Sequence, residues 1–296
     1  MSKGTRRISP TGRTVVVTGA SSGLGREAAL HLARIGFRVF AGVRAPADGE
    51  RLLAESSGDR LYPLRIDVTR SDQIRQAVDE VTGRLGDTGL WGLVNNAGVA
   101  QPGPLECLPT AALRRQLETN VIGQVETIQG FLPLLRAGRG RIVNVTSGLG
   151  RVALPYLGAY AAAQFAKEAI SDSLRRELRP SGVTVSVVQP GAIRTPIWEK
   201  LDQAGEEVID GAPESTVALY RGPFRAFLRD NARQVLRSRT TPARYARTVA
   251  RALTASRPKT RYPVGPDVRF ASLAARLLPD TLIDRNLAAR VRPREG

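Results

Sequence analysis

Short runs of aliphatic and β-branched residues recur along the chain at 14–18, 38–43, 61–66, 91–94, 141–146, 183–188 and 260–264. The runs at 14–18 (TVVVT) and 141–146 (RIVNVT) show neither polar alternation nor turn residues. That is the pattern of strands buried on both faces of a parallel sheet. Between the runs, apolar positions fall at helical spacing over about 23–35, 71–85, 110–135, 158–178 and 242–256, with Ser71 placed as an N-cap. Strand and helix patterns in alternation predict an α/β fold built on a doubly wound parallel sheet of about seven strands. No repeat or linker divides the chain, so residues 13–296 read as a single domain. Residues 1–12 read as a disordered basic arm, and 268–291 as an amphipathic tail.

The chain is organised around 144–167, NVTSGLGRVALPYLGAYAAAQFAK. A buried strand runs into Ser147, a glycine-broken loop follows, and the next helix carries Tyr160 near its start. Chemistry in open α/β sheets sits beyond the carboxyl ends of the strands, which is where Ser147 falls. After the first strand, Gly19-Ala-Ser21-Ser22-Gly23-Leu24-Gly25 opens a helix. Its glycines permit a tight turn and close approach of a pyrophosphate to the helix N-terminus. The fourth run is followed by Asn95-Asn-Ala97-Gly98.

Taken together, Ser147 with Tyr160 thirteen positions on, the G-x3-G-x-G spacing and the NNAG turn resemble the short-chain dehydrogenase/reductase family over about residues 13–265. The tail resembles the hydroxysteroid and retinol dehydrogenase branch. The resemblance implies a Rossmann-like fold and hydride transfer between a nicotinamide and a carbonyl or alcohol. It implies that Ser147 holds the substrate oxygen, Tyr160 exchanges its proton, and Asn120 supports a relay water at a helix kink. It places Asp67 and Val68 near the adenine, the NNAG turn along the cofactor, and Pro190, Gly191 and Ile193 beside the nicotinamide. Thr195 then contacts the carboxamide or the phosphates. It also implies a homodimer or homotetramer, and a substrate lid over about 196–240 with Trp198, Tyr220, Phe224 and Phe227 as apolar content.

The second strand ends in Val43-Arg44, with no carboxylate to hold ribose hydroxyls. Arg44 there fits a 2′-phosphate in the bidentate manner of guanidinium, hence NADP(H) as cofactor. A solvated loop arginine is the plain alternative.

One position departs from the family pattern. The lysine expected four residues after Tyr160 is Gln164, and the register of FAKEAISDSLRREL beyond it is unbroken. An amide keeps a hydrogen bond to the nicotinamide ribose but supplies no charge to lower the Tyr160 pKa. Oxidation, which needs a base, suffers most. Reduction needs a proton donor, and a neutral tyrosine is one. The expected activity is therefore an NADPH-dependent carbonyl reductase for an apolar, medium-sized substrate. The rivals are a non-redox cyclisation or dehydration in the same pocket, and a catalytically weak NADP(H)-binding partner or sensor protein. Lys167 lies seven residues after Tyr160, a spacing shared with divergent enoyl reductases. It is about 10 Å further along the helix axis, so partial compensation for the missing lysine is one reading and a place at the helix interface or in solvent is the favoured one.

Charge changes this picture little. The net charge is +17, and of 44 basic residues only Lys3, Lys167, Lys200 and Lys259 are lysines. The arginines are dispersed and match no nucleic-acid module, so they favour anionic small ligands over nucleic acid. Arg221, Arg225, Arg229, Arg233 and Arg237 recur every four residues, the spacing of a solvated helix face. One Cys and one His exclude an intrachain disulfide and the usual zinc sites. No run spans a bilayer and no signal peptide is visible, which points to a cytoplasmic protein without membrane attachment.

Overall fold

The computed structural model describes residues 7–86 and 88–288. The first half comprises β1 (Thr14–Val17), α1 (Gly23–Arg34), β2 (Arg38–Val43), α2 (Pro46–Ala54), β3 (Leu61–Arg65), α3 (Ser71–Leu85) and β4 (Gly92–Asn95). Next come α4 (Thr110–Leu117) and α5 (Gly123–Ala137), joined by a π-helical turn at Glu118–Ile122. Then follow β5 (Arg141–Val145), α6 (Gly158–Glu177) and β6 (Thr184–Pro190). The remainder is α7 (Ile197–Asp210), α8 (Glu214–Arg237), α9 (Pro242–Thr254), β7 (Arg261–Val264), α10 (Pro266–Leu277) and α11 (Asp280–Ala288).

The seven strands are all parallel, in the order β3-β2-β1-β4-β5-β6-β7. The chain reverses direction across the sheet between β1 and β4, and this switch point opens a crevice at the strands' carboxyl ends. Burial on both faces explains the unbroken apolar runs. Val15, Val17 and Ala41 pack with Ala28, Leu32, Val249 and Leu253 of α1 and α9 on one face. Val16, Phe40 and Ile142 pack with Ile74, Val81, Ile128 and Phe131 of α3 and α5 on the other. Each fully buried aliphatic contributes roughly 1.5–3 kcal/mol relative to exposure.

Three features refine the sequence reading. The stretch 110–135 is not one helix: the ladder widens into the π turn around Asn120. Pro63 sits inside β3 because that strand is the sheet's edge, where a missing N–H costs little. Residues 1–6 of the expected disordered arm lie outside the described residues, but 7–12 are laid against the body. Ile8 N donates to Thr254 O at 2.7 Å, and Arg7 bridges Ala255. The last residues of the expected tail, 289–291, also lie outside the described residues, as does the side chain of Trp198. Among the described residues no helix is long and apolar enough to cross a membrane.

Candidate active site

A single cavity of about 1110 Å³ runs along the carboxyl ends of β1, β2, β4, β5 and β6. It exceeds the usual volume of a small-ligand pocket, ~300–1,000 Å³, and suits a dinucleotide with a second molecule beside it.

At one end lies the glycine-rich loop. Gly19, Ser21, Ser22, Gly23, Leu24 and Gly25 all line the cavity. Gly19 has φ +65, and a Cβ there would stand 2.8 Å from Ala97 Cα. A Cβ on Gly25 would overlap the Gly19 carbonyl and Asn96 Nδ2. The turn therefore admits no side chain at either place. Ser22, the N-cap of α1, makes no side-chain cap hydrogen bond, and no acidic residue occupies the helix's first turn. The helix thus offers backbone donors and its positive dipole end to an anion. Asn96 secures the loop: its Nδ2 donates to Thr18 O at 3.1 Å and Gly19 O at 3.2 Å, and its Oδ1 accepts from Tyr245 at 3.0 Å.

Arg44, exposed at the end of β2, also lines the cavity, as do Asp67 and Val68 after β3. Asp67 Oδ1 accepts from Thr69 N at 3.0 Å and Thr69 Oγ1 at 2.8 Å, which fixes that loop. Of the NNAG turn, Ala97 and Gly98 line the wall but Asn95 does not. Asn95 lies within β4 and donates to Asn144 Oδ1 at 3.0 Å, tying β4 to β5. Asn96 takes the place in the wall that Asn95 was expected to have.

Further along, Asn120 sits buried in the π turn. Its Oδ1 accepts from Val99 N and its Nδ2 donates to Val99 O, both at 2.9 Å. Ser147 caps a short turn after β5, and its Oγ accepts from Leu149 N at 3.2 Å. Tyr160, in the first turn of α6, is raised above its usual pKa by burial, an effect partly opposed by a side-chain hydrogen bond with Ser147. All three line the cavity, as do Gln164 and, across from them, Pro190, Gly191, Ile193 and Thr195. Asp267 of α10 accepts from Ala192 N at 2.8 Å and so holds the turn after β6.

The family model for the short chain dehydrogenase matches residues 13–206. The chain belongs to that family. It is 45% identical over 274 residues to a 3-amino-tetrahydro-pyrrolizinone reductase of Xenorhabdus hominickii, covering 93% of this chain and 94% of that protein. It is 38% identical over 275 residues to retinol dehydrogenase 5 of Homo sapiens, covering 91% of this chain and 86% of that protein. A short chain dehydrogenase from Burkholderia cenocepacia, solved in complex with NADP, aligns with TM-score 0.72 and 26% identity over 94% of this chain and 98% of that one. The protein is thus an oxidoreductase of the short-chain dehydrogenase type.

Within the short-chain dehydrogenase frame, the cavity's outer wall is apolar. Leu154 and Leu157 face Ile197, Leu201 and Ala204 of α7. Behind Leu157 and Leu201, in the same apolar cluster, Tyr156 (φ +63) packs edge-on against Phe224 and Phe227 of α8, at 5.3 and 5.4 Å, while α8 itself brings Asn231 and Gln234 to the cavity. Phe270, Ala274 and Leu278 of the tail and Ile283 of α11 complete the wall. The arginines of α8 lie largely on its outer face, where Arg221 pairs with Glu214 and Arg225 with Glu206.

Two residues on α6 carry more than their sequence positions suggested. Lys167 is neither in solvent nor packed away from the cavity: it is only 2% exposed and lines the same wall as Tyr160 and Gln164. Its ammonium is lowered to a pKa of about 8 by burial, against a weaker pull upward from Glu168. Glu168 is buried and collects Thr146, Gln189 and Arg261 at 2.7, 2.9 and 2.9 Å, with Arg151 at 3.3 Å. Its apolar helical context hid this carboxylate, and the signal that could have exposed it is a charge placed on an otherwise buried helix face.

Proposed function

We propose that the protein is an NADPH-dependent carbonyl reductase for an apolar, medium-sized substrate, with Tyr160 as proton donor. The observation that carries the reading is the hydroxyl pair of Ser147 and Tyr160, set in the cavity between a dinucleotide cradle and an apolar wall. The cradle fits a nicotinamide dinucleotide: a side-chain-free turn at Gly19 and Gly25, open backbone donors on α1, and the buried Gln164 Oε1, which has no hydrogen-bond partner among the described residues. When bound, the cofactor supplies the hydride.

The chain's own residues do the rest. Ser147 and Tyr160 donate to the substrate oxygen and orient it. Tyr160, with its pKa raised by burial, stays protonated at neutral pH and gives up its proton as charge develops on that oxygen. The apolar wall formed by Leu154, Leu157, α7 and the tail excludes water and selects an apolar body, with 196–240 serving as the substrate lid. Arg44 at the β2 terminus favours the 2′-phosphate of NADPH. The reductase activity of the pyrrolizinone relative supports the direction and suggests a bicyclic carbonyl as a substrate type. The assembly is a homodimer or homotetramer in a cytoplasmic setting.

Consumption of NADPH with a panel of mono- and bicyclic ketones tests the reading. Turnover by the wild type and its loss in Tyr160→Phe are expected. Equal turnover by Tyr160→Phe would contradict it.

A further inference from the structure

We infer that Lys167 and Gln164 together hold the nicotinamide ribose, with Lys167 supplying the cation that Gln164 lacks. The inference rests on the proposal that the cavity binds NADP(H).

Three observations on α6 converge. Lys167 is fully buried yet lines the cavity, so its ammonium is enclosed at the cavity wall. Among the described residues that ammonium makes no hydrogen bond or ion pair. Glu168, next in sequence, is engaged by Arg261 and Arg151 instead. One turn earlier on the same helix, Gln164 Oε1 is buried without a donor. The cavity wall beside Tyr160 therefore holds an unpartnered cationic donor and an unpartnered acceptor.

Groups of this kind cost stability unless a ligand completes them. A vicinal diol does so, since each hydroxyl both donates and accepts. One hydroxyl accepts from Lys167 while another donates to Gln164. The helical arithmetic allows it. Residues three apart share a face, Lys167 lies two turns from Tyr160, and a helical side chain leans back toward the N-terminus. The backbone around Lys167 is pinned: Ser171 Oγ donates to Lys167 O at 2.6 Å and accepts from Asn144 Nδ2 at 2.8 Å.

Dissociation constants for NADPH, measured by fluorescence on the full chain, test the inference alongside thermal melting of the cofactor-free protein. Lys167→Met should weaken NADPH about tenfold or more, the loss of one charge-assisted contact. The same variant should melt at a higher temperature without cofactor, because a buried unpaired charge has been removed; a purely structural lysine would lower it. Moving the cation by the double variant Gln164→Lys, Lys167→Met should bring NADPH affinity back to within about threefold of wild type. Wild-type binding with Lys167→Met within about twofold of it would overturn this inference alone and leave the reductase reading standing. Failure of the wild type to bind NADPH at all would overturn both.

Discussion

Thr146 donates its hydroxyl to Glu168 Oε1 at 2.7 Å, which ties the residue before Ser147 to the helix that carries Tyr160. The same oxygen accepts from Gln189, which precedes the Pro190-Gly191 turn. One buried carboxylate thus joins three parts of the site: the end of β5, the end of β6 and the face of α6.

Glu168→Gln tests that junction. It keeps the shape but leaves Arg151 without its countercharge and Arg261 with Asp172 alone, at 3.0 Å. Breaking a buried ion pair on one side costs about 3–5 kcal/mol. Because both arginines retain some solvent contact, the loss should fall near or below the bottom of that range. Urea unfolding should show it as a lower midpoint, and turnover should fall as Ser147 loses its support. An unchanged midpoint would show that the network contributes no stability.

Arg44→Ala is expected to weaken NADPH about tenfold or more, by loss of a charge-assisted contact, and to leave NADH affinity unchanged. Calorimetric titration with both nucleotides separates this from a general loss of affinity. Equal losses for the two would place Arg44 away from the 2′-phosphate.

Asn120→Leu removes both amide bonds to Val99 within the π turn. Val99 N then has no acceptor, while Val99 O keeps its bond from Gln116 Nε2 at 2.8 Å, so the cost is roughly 1–3 kcal/mol for one unsatisfied group. Melting should drop by several degrees, and Asn120→Asp, which retains the acceptor, should recover part of it.

The Lys167 shift sets a pH signature for the cofactor-free protein. Its folded pKa is about 8, against 10.5 ordinarily. Between those values the unfolded chain binds more protons, so stability rises with pH through that window. Below about pH 8 both states are protonated and the full desolvation penalty applies, on the order of 3 kcal/mol. Lys167→Met should therefore stabilise the protein most at neutral pH, and the difference should fade toward pH 10.5. Glu168 and Tyr160 are the neighbouring ionisable groups on the same helix. A stability difference independent of pH from 7 to 10 would contradict the assignment.

Much of this was legible in the sequence. Unbroken apolar runs in β1 and β5 announced a sheet covered on both faces, and that is the seven-stranded parallel arrangement observed. Asn120 stood out as a poor helix-interior residue, and the chain there winds into a π turn. Other features depend on geometry that one-dimensional spacing does not carry. Asn95 and Asn96 are chemically identical, and strand pleating alone directs the first to Asn144 and the second to the Gly19 turn. α2 is short and begins Pro-Ala-Asp-Gly, which carries little helical signal. Lys167 was the largest departure, because residue type and spacing do not reveal whether a long side chain turns toward a cavity or toward solvent.

The proposed reaction is hydride delivery to a carbonyl with Tyr160 as proton donor. The most direct test is reduction of a bicyclic ketone with NADPH deuterated at the transferring position, followed by mass spectrometry of the product. An alcohol carrying one deuterium on its carbinol carbon is expected from the wild type and is lost with Tyr160→Phe. A product without deuterium, or one formed equally without cofactor, would contradict the proposed reaction and point to non-redox chemistry in the same cavity.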